Sequence, residues 1–190
     1  MSELYGIPFD NIAEGAGLVA DLSRHLVSHR AELRDVGAVE VGIVARGAGA
    51  DVYLSAGAVT AIERWFDTPP AAIPVETVPD DVVWILKAGE KKFLGRGDVL
   101  AQIIPEPSEP LGTLRTSIGI VKMWRDSKGY GVIECADIAP WDIWSHFAAL
   151  EMPGFKTLTI GEQVEVTYYR ARQESYRYIA KRVRLFAHQK

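Results

Sequence analysis

The chain has 190 residues, 48% of them hydrophobic and 24% charged, with 21 basic and 25 acidic side chains. That length suits one or two domains whose cores need neither disulfides nor structural metals. A single cysteine, Cys135, excludes a disulfide framework and a multi-cysteine zinc site. No apolar run reaches the ~18 residues of a membrane span, and the opening Met1-Ser2-Glu3 carries an acid where a signal peptide has a basic flank. The expectation is a soluble, cytoplasmic protein without a membrane partner.

Apolar residues from Ile12 to Leu33 recur at helical spacing, and the firm helix is predicted from about Leu18 to Asp35, because Gly15 and Gly17 weaken the turns before it. Val39 to Val44 reads as a strand, Gly47-Ala48-Gly49-Ala50 as a turn, Val52 to Leu54 as a short strand and Ala58 to Phe66 as a second helix. Val82 to Leu86 and Val99 to Ile104 read as two further strands. This half is predicted to be an α+β domain over residues 1–104.

Two features of this half invite a functional reading. His25 and His29 stand four apart and could turn both rings toward one metal, but Leu26 lies where a zinc protease motif places its glutamate. The glycines at 47 and 49 lack the Gly-Lys-Ser/Thr of a phosphate loop. No nucleophile–base pair is visible, so no catalytic residue, metal, cofactor or enzymatic activity is expected.

Residues 105–112 hold three prolines and two acids, and they predict a stiff linker to a second domain over residues 113–190. Charge divides at the same place. Residues 1–111 carry a net −8 and residues 112–190 a net +4, and 11 of the 18 aromatic residues lie in the basic part. Such asymmetry hints at nucleic-acid contact by the basic half.

In that half Ile120 to Trp124, Tyr130 to Cys135 and Asp142 to Phe147 read as strands, with Asp126-Ser127-Lys128-Gly129 as the first turn. Alternation puts Tyr130 on one face between Gly129 and Gly131, and Trp144 and His146 together on one face of the next strand. Glycine weakens a strand and packs nothing, so Gly-Tyr-Gly suggests a ring left open rather than a core position. Lys122, Trp124, Tyr130, Trp144, His146 and Phe147 are therefore expected on or beside one surface, which suits single-stranded nucleic acid.

Residues 117–187 resemble the bacterial cold-shock domain. The family's opening motif corresponds to Gly119-Ile120-Val121-Lys122-Met123-Trp124, and its two ribonucleoprotein motifs to Lys128-Gly129-Tyr130-Gly131-Val132-Ile133 and Asp142-Ile143-Trp144-Ser145-His146-Phe147. Gly154-Phe155-Lys156-Thr157-Leu158, Gly161 to Val166 and Ala180 to Leu185 follow in the family's order. Met123 and Val132 depart from it, standing where the family has tryptophan and phenylalanine.

The resemblance implies an all-β, five-stranded OB barrel that binds single-stranded RNA or DNA with low sequence specificity, in a role such as RNA chaperone or regulator. Its binding residues would be Lys122, Trp124, Lys128, Tyr130, Trp144, His146, Phe147, Phe155 and Lys156. The alternative is an OB-fold protein-interaction module, its basic aromatic face covered by the acidic amino-terminal domain or by another copy in a homo-oligomer.

Overall fold

The computed structural model describes residues 3–90 and 92–186, so residues 1–2, Lys91 and residues 187–190, which the domain limits above include, lie outside the described residues. The chain divides into two compact units, residues 1–106 and 107–190.

The first unit is a five-stranded antiparallel sheet with helices packed on it. Its strands are β1 (Leu4–Phe9), β2 (Val41–Arg46), β3 (Gly49–Ser55), β4 (Ile73–Val75) and β5 (Val83–Leu86), in the spatial order β4-β1-β3-β2-β5. The helices are α1 (Ile12–Ser28), the single turn α2 (Leu33–Val36), α3 (Ala56–Trp65) and α4 (Arg96–Ile103). α1 packs on β1, β2 and β3, with α3 and α4 beside it. Val19, Leu22, Ile43, Val52, Leu54, Ile62, Leu86 and Leu100 are buried in this unit's core.

Helix α1 begins earlier and ends sooner than the spacing predicts. The Asn11 side chain caps it by accepting the Ala13 N–H at 2.8 Å. Gly15 is placed for closeness, since a Cβ there would lie 3.1 Å from the Ala50 Cβ on β3. Contact with the sheet thus outweighs the glycine's propensity cost. The run Val99 to Ile104 is a correction: it is mostly helix α4, not a strand. Asp98 accepts the Gly95 N–H at 2.9 Å and closes the first turn, and the adjacent Val99 and Leu100 are both buried. β3 takes up Gly49 and Ala50, leaving only Gly47-Ala48 as the turn. Strands β1 and β4 were not foreseen from the sequence.

The second unit is a closed barrel of β6 (Leu114–Arg125), β7 (Tyr130–Glu134), β8 (Asp142–His146), β9 (Gln163–Gln173) and β10 (Tyr176–Leu185), ordered β10-β8-β7-β6-β9. The long β6 serves two neighbours, pairing β9 through its first half and β7 through its second. β10 pairs β9 and, in parallel, β8, so closure leaves no free edge. Val121, Ile133, Ile143, Val164, Val166 and Tyr168 fill the interior.

Of the proline-rich segment, residues from Pro107 onward belong to the barrel's unit. Glu109 accepts the Tyr178 hydroxyl and pairs with Arg115 at 2.9 Å. The Gly112 N–H donates to the Arg170 carbonyl at 2.7 Å. Proline keeps this stretch extended, and these three bonds lay it along the barrel.

Candidate nucleic-acid interface

Strand register builds the surface in rows. Tyr130 on β7 stands between Arg125 on β6 and His146 on β8, and Val132 stands between Met123 and Trp144. Directly opposed residues share a face, so these six side chains lie outward together, while Gly131, Ile133 and Ser145 turn inward. The Tyr130 and Trp144 rings are 6.1 Å apart and 27° from parallel, and Trp144 and His146 are 6.0 Å apart at 28°. The Phe147 ring continues the series 4.4 Å from that of His146. Val132 forms the floor of this surface, buried between Met123 and Trp144.

Trp124 goes elsewhere. A bulge at Lys122 shifts the register, so Val121 still opposes Ile133 but Met123 opposes Val132 and Trp124 opposes Gly131. A Cβ at position 131 would fall 2.3 Å from the Trp124 ring and 2.4 Å from the Met123 carbonyl, so only glycine lets the indole cross the strand. Strict alternation, which put Trp124 beside Tyr130, is broken there.

The indole forms one wall of a cleft of about 570 Å³ beyond the ring surface. Phe147, Phe155, Lys128 and Lys156 also line it, so Phe147 belongs to both parts. Phe147 and Phe155 are the most open of the predicted rings, at 45% and 78% exposure. The Asp126–Gly129 turn that carries Lys128 closes on Arg125, with the Gly129 N–H donating to the Arg125 carbonyl at 2.8 Å. Gly129 has φ +68°, and a Cβ there would meet the Phe147 ring at 2.8 Å.

The nine predicted residues therefore divide. Tyr130, Trp144 and His146 make the plane; Trp124, Lys128, Phe155 and Lys156 make the cleft; Phe147 joins them. Lys122 stands apart, paired with the nearly buried Asp142 carboxylate at 3.7 Å, which offsets its charge. His146 Nδ1 accepts the Ala148 N–H at 3.3 Å, so its neutral ring carries the proton on Nε2. The inward Ser145 hydroxyl donates to the His146 carbonyl at 3.4 Å.

Three residues were missed. Arg125 is exposed beside Tyr130, but strict alternation from Val121 turns it inward with Met123, so without the bulge at Lys122 no signal in the sequence marks it. Asp126 accepts the Trp124 indole N–H at 2.9 Å and the Thr157 hydroxyl at 2.5 Å on the same oxygen. It thereby ties the cleft wall to the segment bearing Phe155. Turn chemistry explained Asp126 well enough to hide this role, and nothing in sequence marks Thr157 as its partner.

In the first unit His25 and His29 have rings 5.4 Å apart, packed against Trp65 and Phe66. Among the described residues no group of three or more histidine, cysteine or carboxylate side chains is placed to hold a metal ion, and no helix is long and apolar enough to cross a membrane.

Residues 117–186 match the family described as the "'Cold-shock' DNA-binding domain". The cold shock-like protein CspC of Escherichia coli (strain K12) is 47% identical over 47 residues, which are 25% of this chain and 67% of that protein. The chain belongs to the cold-shock domain family. CspD of Haemophilus influenzae is 38% identical over 48 residues, 25% of this chain and 65% of that protein, and CspD of Vibrio cholerae 39% over 46, 24% and 59%. The chain thus spans about two thirds of the length of the relatives it matches. The cold-shock match begins beyond the first unit, and it contains every residue of both the ring plane and the cleft.

Proposed function

We propose that the cold-shock domain binds single-stranded nucleic acid, RNA or DNA, with little sequence preference, as a cytoplasmic chaperone or regulator that catalyses no reaction. The observation that carries this reading is the outward row of Tyr130, Trp144 and His146, continued by Phe147 into a cleft rimmed by two lysines. Each open ring offers a face on which a base can stack irrespective of its identity. Lys128, Lys156 and Arg125 lie close enough to these rings along the chain to meet the phosphates of stacked nucleotides.

Two stacking platforms are reduced relative to the family. Met123 still covers surface with a polarizable chain, whereas Val132 supplies only a floor. Affinity is therefore expected below that of a barrel with aromatic residues at both places, each base stack contributing ~1–3 kcal/mol.

Titration of the intrinsic tryptophan fluorescence with short pyrimidine oligonucleotides, in RNA and DNA form, tests the proposal. Binding at low salt should weaken as salt rises, the logarithmic slope being about −0.7 per phosphate neutralised. Absence of binding at low salt, or binding indifferent to salt, overturns it.

A further inference from the structure

The cleft beyond the ring plane holds one acid among its lysines. Asp126 lines it together with Trp124, Phe147, Phe155, Lys128 and Lys156. Its carboxylate is fixed from two sides, because the Trp124 indole N–H and the Thr157 hydroxyl both donate to Oδ1, at 2.9 and 2.5 Å. Neither bond uses Oδ2. A carboxylate so held is an acceptor of set position beside rings that can sandwich a base.

Resting on the proposed nucleic-acid binding, we infer that Asp126 makes this cleft select guanine among the bases. Guanine carries N1–H and N2–H₂ side by side on its Watson–Crick edge, two donors for one anionic acceptor. Thymine and uracil offer a single N3–H between two carbonyls, both of which a carboxylate repels. Adenine and cytosine set a ring-nitrogen lone pair beside their one amine, so part of the gain is cancelled. The carboxylate would otherwise push the backbone away. Lys128 and Lys156, in the same lining, offset that repulsion for the flanking phosphates. Stacking thus supplies sequence-tolerant affinity, and Asp126 adds one position at which identity matters.

Asp126→Asn is the informative variant. The amide oxygen can still accept from Trp124 and Thr157, while the free end changes from an acceptor to a donor. Tryptophan fluorescence titrations of the full chain and of D126N would use two short oligodeoxynucleotides, one of thymidine alone and one with a single central dG. The unaltered protein should favour the dG oligonucleotide by roughly tenfold, the scale of one good base contact. D126N should lose or reverse that ratio, whatever its affinity for the thymidine oligonucleotide. Thr157→Val, which frees the carboxylate, should lower the ratio without reversing it. A ratio near one in the unaltered protein, or an equal preference in D126N, overturns the inference and leaves the binding proposal standing. Failure to bind either oligonucleotide overturns both.

Discussion

Each unit contains a cluster of tryptophan, histidine and phenylalanine or tyrosine rings, built on opposite plans. In the first unit His25 and His29 sit one turn apart on and just after α1 and lean on Trp65 and Phe66 at the end of α3. Helical spacing turns those rings toward each other: His29 stacks on Trp65 with centroids 4.7 Å apart, so the cluster consumes its own faces. Its polar edges are spent locally too, the Trp65 indole N–H on Glu32 at 3.2 Å and His29 Nδ1 against the His25 carbonyl at 3.0 Å. In the barrel Tyr130 rises from β7 and Trp144 and His146 from β8, with Tyr130–Trp144 and Trp144–His146 near 6 Å apart, and their neighbours are Arg125, Lys128 and Lys156. Aromatic content alone does not make a stacking platform. Rings set side by side on one sheet face, with a cationic surround, do.

The largest expected difference follows directly. Tyr130→Ala with Trp144→Ala removes two platforms and should weaken oligonucleotide binding by ~2–6 kcal/mol in total. His29→Ala with Trp65→Ala removes as many rings from the helical cluster and should leave binding unchanged while lowering the stability of the first unit. Parallel fluorescence titrations and urea melts of the two double variants decide it. Equal loss of binding in both would erase the distinction.

A second comparison separates rings that bind from rings that hold the barrel. Tyr178 is buried, donates to Glu109 and lies edge-on to Tyr168 with centroids 5.7 Å apart. Burial, followed by the bond to Glu109, pushes its phenol well above the ordinary tyrosine range. Tyr178→Phe keeps the ring but strips Glu109 of a donor, at a cost of about 1–3 kcal/mol in barrel stability. Binding by the refolded variant should be unaltered. A shift in oligonucleotide affinity with no change in melting would place Tyr178 among the binding groups instead.

Much of the barrel was legible because its signals are local: alternation, Asp-Ser-Lys-Gly turn chemistry and motifs in order. The first unit was harder. Val99-Leu100-Ala101-Gln102-Ile103-Ile104 is an apolar run that periodicity assigns to strand or helix equally well, and the Gly95–Asp98 turn decides for helix. β1 contains Gly6 and Pro8, weak strand formers whose conformation comes from pairing with β3. At the site, motif residues were readable one by one but their division into plane and cleft was not. One extra residue at Lys122 reverses which of Met123 and Trp124 faces outward, and a bulge has no compositional mark here.

The smallest expected effect concerns protons. His25 titrates below the ordinary histidine range, chiefly because burial disfavours its cation, with His29 and Arg24 adding repulsion against the opposing pull of Asp21 and Asp67. The folded protein therefore binds this proton less readily than the unfolded chain does. Above the unfolded value the two states hold the ring alike, and the neutral cluster keeps its full stability. As pH falls through that value toward the lower folded one, the unfolded chain takes up the proton first and the first unit loses stability. Urea midpoints measured at about pH 7.5 and about pH 5 should fall more for the unaltered protein than for His25→Gln, carboxylates contributing equally to both. The loss is small because His25 is only half-buried and water screens its neighbours. Equal falls in the two proteins would mean that the ring cluster carries no such penalty, and that the helical stack tolerates a charge it was packed to exclude.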